Sequence, residues 1–173
     1  MSNPRNFTIH KSKKSLVDKL MTARQSLVKS LDSMDHRLET VQEIDGVKFI
    51  NDSKSTGILD TRDSLKCINQ PIIWIACSTP HERDYSLIDK YVKYKIKSIV
   101  VFGTGGDDIK NMFEEKVDNF IRVNNMYEAV SQAGKLAASG DAVLFSPSCA
   151  SFDLFANYVE RGNAFKKVVK QLG

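Results

Sequence analysis

The fold is decided by a run of five apolar residues, Ile72-Ile73-Trp74-Ile75-Ala76, because such a run fits a strand that is buried on both faces. Three more runs of this kind follow it along the chain, at residues 98–102, 120–123 and 142–145. Helical patterns separate and follow the runs, over residues 57–67, 84–95, 107–115, 126–138 and 151–171. Strands that alternate with helices predict a mostly parallel sheet with helices on both faces.

Two shorter extended segments, Leu38–Ile44 and Val47–Ile50, precede these runs. The dipeptide Asp45-Gly46 joins them and favours a two-residue hairpin, since both positions tolerate positive φ. The hairpin would add one antiparallel strand at an edge of the sheet. The sequence therefore predicts an α/β, Rossmann-like, doubly wound sheet of about six strands. This domain is expected over residues 35–173, after a tail at 1–11 and a helical segment at 12–34.

Composition excludes several classes of protein. The 25 basic and 21 acidic side chains give a net charge of +4, which is too small and too scattered to indicate a nucleic-acid partner. No apolar run approaches the roughly 18 residues of a membrane span, and no secretory signal is evident. The three cysteines fit neither a disulfide framework nor a metal site, so we expect small buried hydrophobes and a cytoplasmic protein.

Polar loops follow two of the predicted strands. The first loop, residues 51–56, reads Asn-Asp-Ser-Lys-Ser-Thr, and the last loop, residues 146–151, reads Ser-Pro-Ser-Cys-Ala-Ser. Both enter a predicted helix, and ligands of open α/β sheets bind at the carboxyl ends of the strands. Hydroxyls, the Lys54 ammonium and free N–H groups there can hold an anion. The alternative is an ordinary helix cap, for which Lys54 has no use.

Three further segments narrow the class of site. His81, in the loop of residues 77–82, can contact a carboxylate or act as a base, or can be simply solvated. Residues 103–106, Gly-Thr-Gly-Gly, do not complete a dinucleotide fingerprint, because Asp108 stands where the last glycine belongs. The sequence contains no P-loop, since Gly134-Lys135 is followed by Leu136 within a helical pattern.

Two blocks of sequence resemble a known family. The first comprises His36-Arg37-Leu38-Glu39, Gly46-Val47 and residues 49–56, and it is similar to the start of the C-terminal domain of Mur ligases. The second comprises residues 146–155, Asn157-Tyr158, Arg161-Gly162-Asn163 and Phe165, and it is similar to the end of that domain. This second block looks most like the branch of the family that adds D-glutamate. The resemblance covers about residues 15–173.

The resemblance implies an ATP-dependent, amide-forming ligase of cytoplasmic peptidoglycan precursor synthesis. In this family ATP phosphorylates the carboxylate of UDP-N-acetylmuramoyl-L-alanine, and the D-glutamate amine attacks the acyl phosphate. Negative charge accumulates on the way, so fixed cations and hydrogen-bond donors are needed. The family holds ATP and Mg²⁺ mainly on a central domain and the UDP-sugar on an N-terminal domain, neither of which is in this sequence. We therefore expect no tightly bound cofactor here and an inactive isolated chain.

The resemblance also assigns roles by motif position. Lys54 is the expected catalytic residue, beside the transferred phosphate and the incoming amino acid. Arg37 and Asp52 would contact the nucleotide, with Asp52 directed to its ribose. The D-glutamate carboxylates would be held by a group of residues from three loops: Thr56, Ser151, the backbone of Phe152, His81 and, beside them, Tyr158.

The sequence departs from the family pattern at two positions. Gly57 stands where the family usually has asparagine, and His81 aligns with a lysine that contacts a D-glutamate carboxylate. Arg83 is a substitute for that lysine only in charge, because a planar guanidinium does not replace an ammonium point for point. Two other hypotheses thus remain: a diverged stand-alone binding or regulatory module of the same fold, and an unrelated Rossmann-like nucleotide-binding domain.

Overall fold

The computed structural model describes residues 35–78, 83–152 and 154–173. The predicted tail at 1–11, the predicted helical segment at 12–34 and His81 lie outside the described residues. The strands are β1 Glu39–Ile44, β2 Val47–Asn51, β3 Ile72–Ser78, β4 Ile96–Gly103, β5 Asn119–Val123 and β6 Ala142–Phe145. The helices are α1 Ile58–Cys67, α2 Asp89–Lys95, α3 Asp107–Phe113, α4 Met126–Leu136 and α5 Tyr158–Val169.

The six strands form one sheet in the order β1-β2-β6-β3-β4-β5. Only the β1–β2 pair is antiparallel, and the β2–β6, β6–β3, β3–β4 and β4–β5 pairs are parallel. The predicted Rossmann-like sheet with one antiparallel edge strand is confirmed. At the hairpin, Asp45 has φ 51° and Gly46 φ 78°, as the Asp-Gly dipeptide predicts. A Cβ at Gly46 would lie 2.3 Å from the Ser139 hydroxyl and would force that side chain to move.

Each face of the sheet carries its own apolar cluster, because successive side chains of a strand point to opposite faces. Ile73 and Ile75 of β3 belong to the cluster covered by α4 and α5, through residues such as Val130 and Phe165. The alternate residues of β3, among them the fully buried Trp74, belong to the other cluster. That second cluster includes residues of α1, α2 and α3: Leu65, Val92, Ile109 and Phe113. The predicted covering of both faces is therefore confirmed.

The last helix begins later than the sequence pattern predicts. We expected a helix over 151–171, but α5 starts at Tyr158. The Ser151 carbonyl accepts hydrogen bonds from the N–H groups of Leu154 and Phe155, which closes a turn instead of a helix. Asn157 then caps α5, since its extended backbone and its side chain, which accepts from Glu160 N–H, place the first helical turn after it.

This topology places the first and the last loop together. In the sheet register Asn51 of β2, Phe145 of β6 and Ile75 of β3 stand in one row across neighbouring parallel strands. The first and the last loop therefore emerge side by side at the carboxyl edge, where β6 also neighbours β3. In the described part of the chain, no helix combines the length and the apolar character needed to cross a membrane.

Candidate functional site at the carboxyl edge of the sheet

The first and last loops are hydrogen-bonded to each other. The Asp52 N–H donates to the Phe145 carbonyl at 2.8 Å, and the Ser146 hydroxyl donates to the Asp52 carboxylate at 2.8 Å. The hydroxyl of Thr61, in α1, lies 2.9 Å from the Ser146 hydroxyl. The predicted proximity of the two loops is thus confirmed, and α1 is joined to the same network.

The Asp52 carboxylate points inward. It is fully buried and also accepts hydrogen bonds from the Ser55 hydroxyl and from the Leu38 N–H at 3.2 Å. Burial raises the pKa of Asp52, and the hydrogen bonds from Ser55 and Ser146 oppose that rise. In this geometry Asp52 organises the first loop, and its contact with a nucleotide ribose stays a prediction.

A single buried guanidinium fastens the two loops from the other side. Arg161 of α5 is fully buried, and its Nη2 donates to the Ser53 carbonyl at 3.0 Å. Its Nη1 donates to the carbonyls of Cys149 at 3.0 Å and Ala150 at 3.1 Å. One rigid fork therefore sets the distance between the first and the last loop.

Arg161 is not among the predicted site residues, although the sequence contains a signal for it. Arg161 occurs four residues before Phe165 and continues the buried stripe of α5 that ends at Val168 and Val169. An arginine on an apolar helical stripe is buried only when carbonyls or anions receive its donors. Gly162 is the companion signal, since a Cβ there would lie 2.3 Å from the Ser53 hydroxyl and 2.2 Å from His36 Nδ1.

His36 is a second supporting residue that the sequence analysis left without a role. Its Nδ1 lies 3.1 Å from the Asn51 amide nitrogen and 3.3 Å from the Ser53 hydroxyl. Because the amide nitrogen is only a donor, Nδ1 accepts and the ring proton resides on Nε2. The Glu39 carboxylate receives the His36 N–H, the Asn51 amide and the Lys166 ammonium, at 3.0, 2.9 and 3.0 Å. This network anchors β1 and α5 to the first loop.

The side chains expected to meet ligand are more open. Lys54 and Thr56 are exposed, while the Lys54 N–H holds the loop by donating to the His36 carbonyl at 2.9 Å. The Lys54 ammonium forms no ion pair with any described residue. Arg37 is half-buried and lies 3.5 Å from Asp60, in the first turn of α1. These positions leave cationic groups facing solvent beside the start of α1.

The residues of the last loop behave differently from one another. Ser151 is buried, whereas Phe152 is 80% exposed. Tyr158 is half-buried and meets His36 edge to face, with ring centroids 6.0 Å apart, so it lies against the first loop. The structure therefore brings Lys54, Thr56, Ser151 and Tyr158 to one edge of the sheet; their ligand contacts, and those of Phe152 and His81, stay predictions.

Gly57, which stands where the family usually has asparagine, lies at the start of α1. It is the cap residue of α1, with no side-chain hydrogen bond to the helix, and a Cβ there would lie 3.8 Å from the Asp60 carboxylate. The hydroxyls of Ser53 and Ser55 serve the loop itself instead of capping α1. The first N–H groups of α1 thus have no side-chain cap from the part of the chain that the structure describes, which suits an anion.

The protonation of His36 should affect the stability of this site. Burial lowers the pKa of His36, and the charge of Lys166 lowers it further, against the opposite influence of Glu39 and Asp35. The unfolded chain takes up this proton near pH 6.5, while the folded chain resists it to a lower pH. The free energy of unfolding is therefore expected to be highest above pH 6.5 and to fall as the pH drops below it.

Urea unfolding at a series of pH values tests this expectation, with His36→Asn as the matched variant. The asparagine Oδ1 can take the place of Nδ1 as acceptor but does not titrate. The difference in unfolding free energy between the two proteins should shrink from pH 7 to pH 5. Hydrogen bonds from the His36 N–H, Lys166 and Asn51 outweigh burial and lower the pKa of Glu39, so that carboxylate titrates in a more acidic window. Parallel curves for the two proteins would contradict the assignment.

Fold and site together define a class of protein: an α/β domain with an exposed lysine and hydroxyl-rich loops at the carboxyl edge of a parallel sheet, suited to an anionic ligand. The glutamate ligase domain of the Mur ligases matches residues 36–149. The chain belongs to the Mur ligase family, as the two sequence blocks predict.

Two named relatives agree with this assignment. The chain is 36% identical over 162 residues to a UDP-N-acetylmuramoylalanine–D-glutamate ligase of Christiangramia forsetii, a match that covers 91% of the chain and 36% of the relative. It is 39% identical over 145 residues to the enzyme of the same name from Cytophaga hutchinsonii, covering 84% and 32%. The chain thus spans about a third of the length of these relatives.

The fold matches that of a MurF ligase from Thermotoga maritima that was solved in complex with ADP. The TM-score is 0.51 at 13% sequence identity, and the match covers 91% of this chain and 38% of that one. At this identity the likeness concerns the fold alone. The predicted branch of the family, the D-glutamate-adding ligases, rests on the named relatives.

Proposed function

We propose that residues 35–173 form the D-glutamate-binding domain of an ATP-dependent ligase that joins D-glutamate to UDP-N-acetylmuramoyl-L-alanine in the cytoplasm. The observation that carries this proposal is the pairing of the first and last loops by Arg161 and by the Asp52–Ser146 hydrogen bond. It holds Lys54 and Ser151 on one edge, as a site for a small dicarboxylate requires. The relatives named as D-glutamate ligases support the choice of amino acid.

In this reaction each group has a physical task. The Lys54 ammonium would neutralise charge on the acyl phosphate and on the tetrahedral intermediate. Thr56, Ser151 and the backbone at Phe152 would hold the D-glutamate carboxylates, with Tyr158 alongside, so that the amine is held in line for attack. Arg37 would contact the nucleotide, in keeping with its half-exposed place beside α1.

ATP and Mg²⁺ would be held mainly by a central domain that the sequence does not contain. The solved MurF ligase with ADP supports nucleotide binding within the family. The residues of this chain that fit such a group are two cations at the carboxyl edge, the exposed Lys54 and the half-buried Arg37, which suit phosphate oxygens. The bound metal and nucleotide would supply the phosphoryl group, while this domain orients the amino acid.

Titration of the chain with D-glutamate, followed by NMR of its amides, tests the proposed site. We expect shifts at millimolar D-glutamate that are confined to residues 51–56 and 146–152. L-glutamate is the matched control and is expected to cause smaller shifts, because the site is proposed to bind the D-enantiomer selectively. Equal shifts for both, or shifts elsewhere, would contradict the proposed site.

An activity assay tests the proposed domain boundary, and the upstream gene sequence distinguishes the ligase domain from the diverged stand-alone module. The chain mixed with ATP, Mg²⁺, UDP-N-acetylmuramoyl-L-alanine and D-glutamate is expected to yield no product, and any ATP-dependent product would overturn the proposed domain boundary. The gene sequence upstream of residue 1 is expected to encode the central and N-terminal domains. A native start codon at Met1 would favour the binding or regulatory module, in which His81 reflects loss of the D-glutamate contact.

A further inference from the structure

Two of the three cysteines lie together beneath the site. Cys77, near the end of β3, and Cys149, in the last loop, are both buried in the cluster under α4 and α5. The Cys77 N–H donates to the Pro147 carbonyl at 3.2 Å, two residues before Cys149, and the two thiols are close enough that each shifts the pKa of the other. Cys67, on α1, is exposed, contrary to the expectation that the cysteines are buried. The fold therefore pairs two thiols that are remote in sequence.

The buried guanidinium of Arg161 faces this pair. Its Nη1 lies 3.7 Å from the Cys149 sulfur, and its buried Nε has no hydrogen-bond partner among the described residues. No carboxylate of the described residues lies within ion-pair distance of it. A buried cation is costly unless an anion compensates it, and a thiolate at Cys149 is an anion in contact. The charge of Arg83 acts on both sulfurs with the same sign.

The proton of the pair is therefore placed unequally. The hydrogen bond from Cys77 and the Arg161 charge lower the pKa of Cys149, against the effect of burial. The hydrogen bond to Cys149, together with burial, raises the pKa of Cys77. The Arg161 guanidinium, 3.7 Å from the Cys149 sulfur, favours a thiolate at Cys149 over one at Cys77. A thiolate beside a cation is the form of cysteine that reacts with oxidants, and a neighbouring thiol is the group that resolves its oxidised product.

We propose that Cys77 and Cys149 form a redox-active dithiol, which a hydroperoxide oxidises to an intramolecular disulfide. The Cys149 thiolate attacks one peroxide oxygen, the O–O bond breaks, and the leaving oxyanion takes a proton from solvent. The resulting Cys149 sulfenic acid is attacked by the Cys77 sulfur, so that the S–S bond forms and the S–O bond breaks. The departing hydroxide takes the Cys77 proton and leaves as water. Two thiols are thus oxidised and one peroxide is reduced.

The fold explains how such a reaction stays selective. Cys149 lies next to the exposed Ala150, in a loop outside any strand or helix. Local opening of the last loop admits a small peroxide without unfolding the sheet. The disulfide would tie the end of β3 to the last loop and thereby fix the edge of the sheet that carries Ser151. The inference depends on the dithiol alone and not on the ligand of the site.

Oxidation of the full chain with stoichiometric hydrogen peroxide tests the proposal. The remaining thiols are alkylated after denaturation, and the peptides are mapped by mass spectrometry. We expect a Cys77–Cys149 cross-link, with Cys67 still free to be alkylated. The pair should react at least about tenfold faster than Cys67, since the thiolate is the reactive form. Oxidation of Cys67 first, or full alkylation of both Cys77 and Cys149, would overturn the proposal.

Single cysteine-to-serine variants show which of the two sulfurs reacts with the peroxide first. Cys77→Ser should stop the reaction at a Cys149 sulfenic acid, which dimedone traps, whereas Cys149→Ser should leave Cys77 reduced. Cys67→Ser is the matched control and should cross-link like the parent chain. If near-ultraviolet circular dichroism shows that a core variant is unfolded, the cross-link map of Cys67→Ser decides alone. Absence of the dimedone adduct in folded Cys77→Ser would contradict the role of Cys149.

Discussion

Replacement of Lys54 by alanine, in the full-length ligase that we propose for this domain, is expected to lower kcat by about 10²- to 10³-fold, the effect of removing one donor that stabilises an oxyanion. The reason lies in its position: the ammonium is exposed at the carboxyl edge and forms no ion pair with any described residue. Its charge is therefore free to meet the acyl phosphate. A steady-state assay of ATP-dependent D-glutamate addition measures the change.

The exposed position of Lys54 also separates an effect on activity from an effect on stability. Because Lys54 is exposed, its removal should change the free energy of unfolding by less than about 0.5 kcal/mol. Lys135→Ala is the matched control, an exposed lysine at the last turn of α4, and should leave kcat unchanged. Lys54→Arg should restore only part of the rate, since a guanidinium does not reproduce the ammonium geometry. If the kcat of Lys54→Ala stays within about threefold of the parent value, Lys54 does not take part in the reaction.

Replacement of Arg161 by methionine is expected to cost about 3 kcal/mol of folding free energy, because three carbonyls, those of Ser53, Cys149 and Ala150, lose a charged donor. Methionine keeps most of the side-chain volume, so the loss reports hydrogen bonding instead of a cavity. Urea unfolding of the purified chain measures this change through the midpoint, with an unchanged slope.

The comparison with Lys167→Met separates Arg161 from a general effect of charge on α5. Lys167 is exposed on the same helix, so this variant is expected to unfold at nearly the parent midpoint. Arg161→Lys should fall between the two, since an ammonium reaches the loops but cannot serve all three carbonyls with the same geometry. Equal midpoints for Arg161→Met and the parent chain would show that the two loops hold together without the guanidinium.

Much of the architecture was predictable because it follows from local sequence patterns, namely apolar runs and a turn dipeptide. The apolar run at 72–76 lies within β3, and the run at 142–145 forms β6. Asp45-Gly46 forms the hairpin turn. Adjacent parallel strands then oblige the first and last loops to share an edge. The start of α5 was missed because the turn at 151–155 depends on backbone hydrogen bonds to Ser151 that periodicity does not express.

The amino-acid sequence by itself determined the sheet, its hairpin edge and the two loops that carry Lys54 and Ser151, since each follows from residue types within a few positions. Only the tertiary structure decided that Asp52 points inward, that Arg161 binds a carbonyl 108 residues away, and that Cys77 and Cys149 share one buried cluster. Those facts depend on which elements pack together and on what compensates a buried charge. Long-range contacts of this kind are set by the fold as a whole.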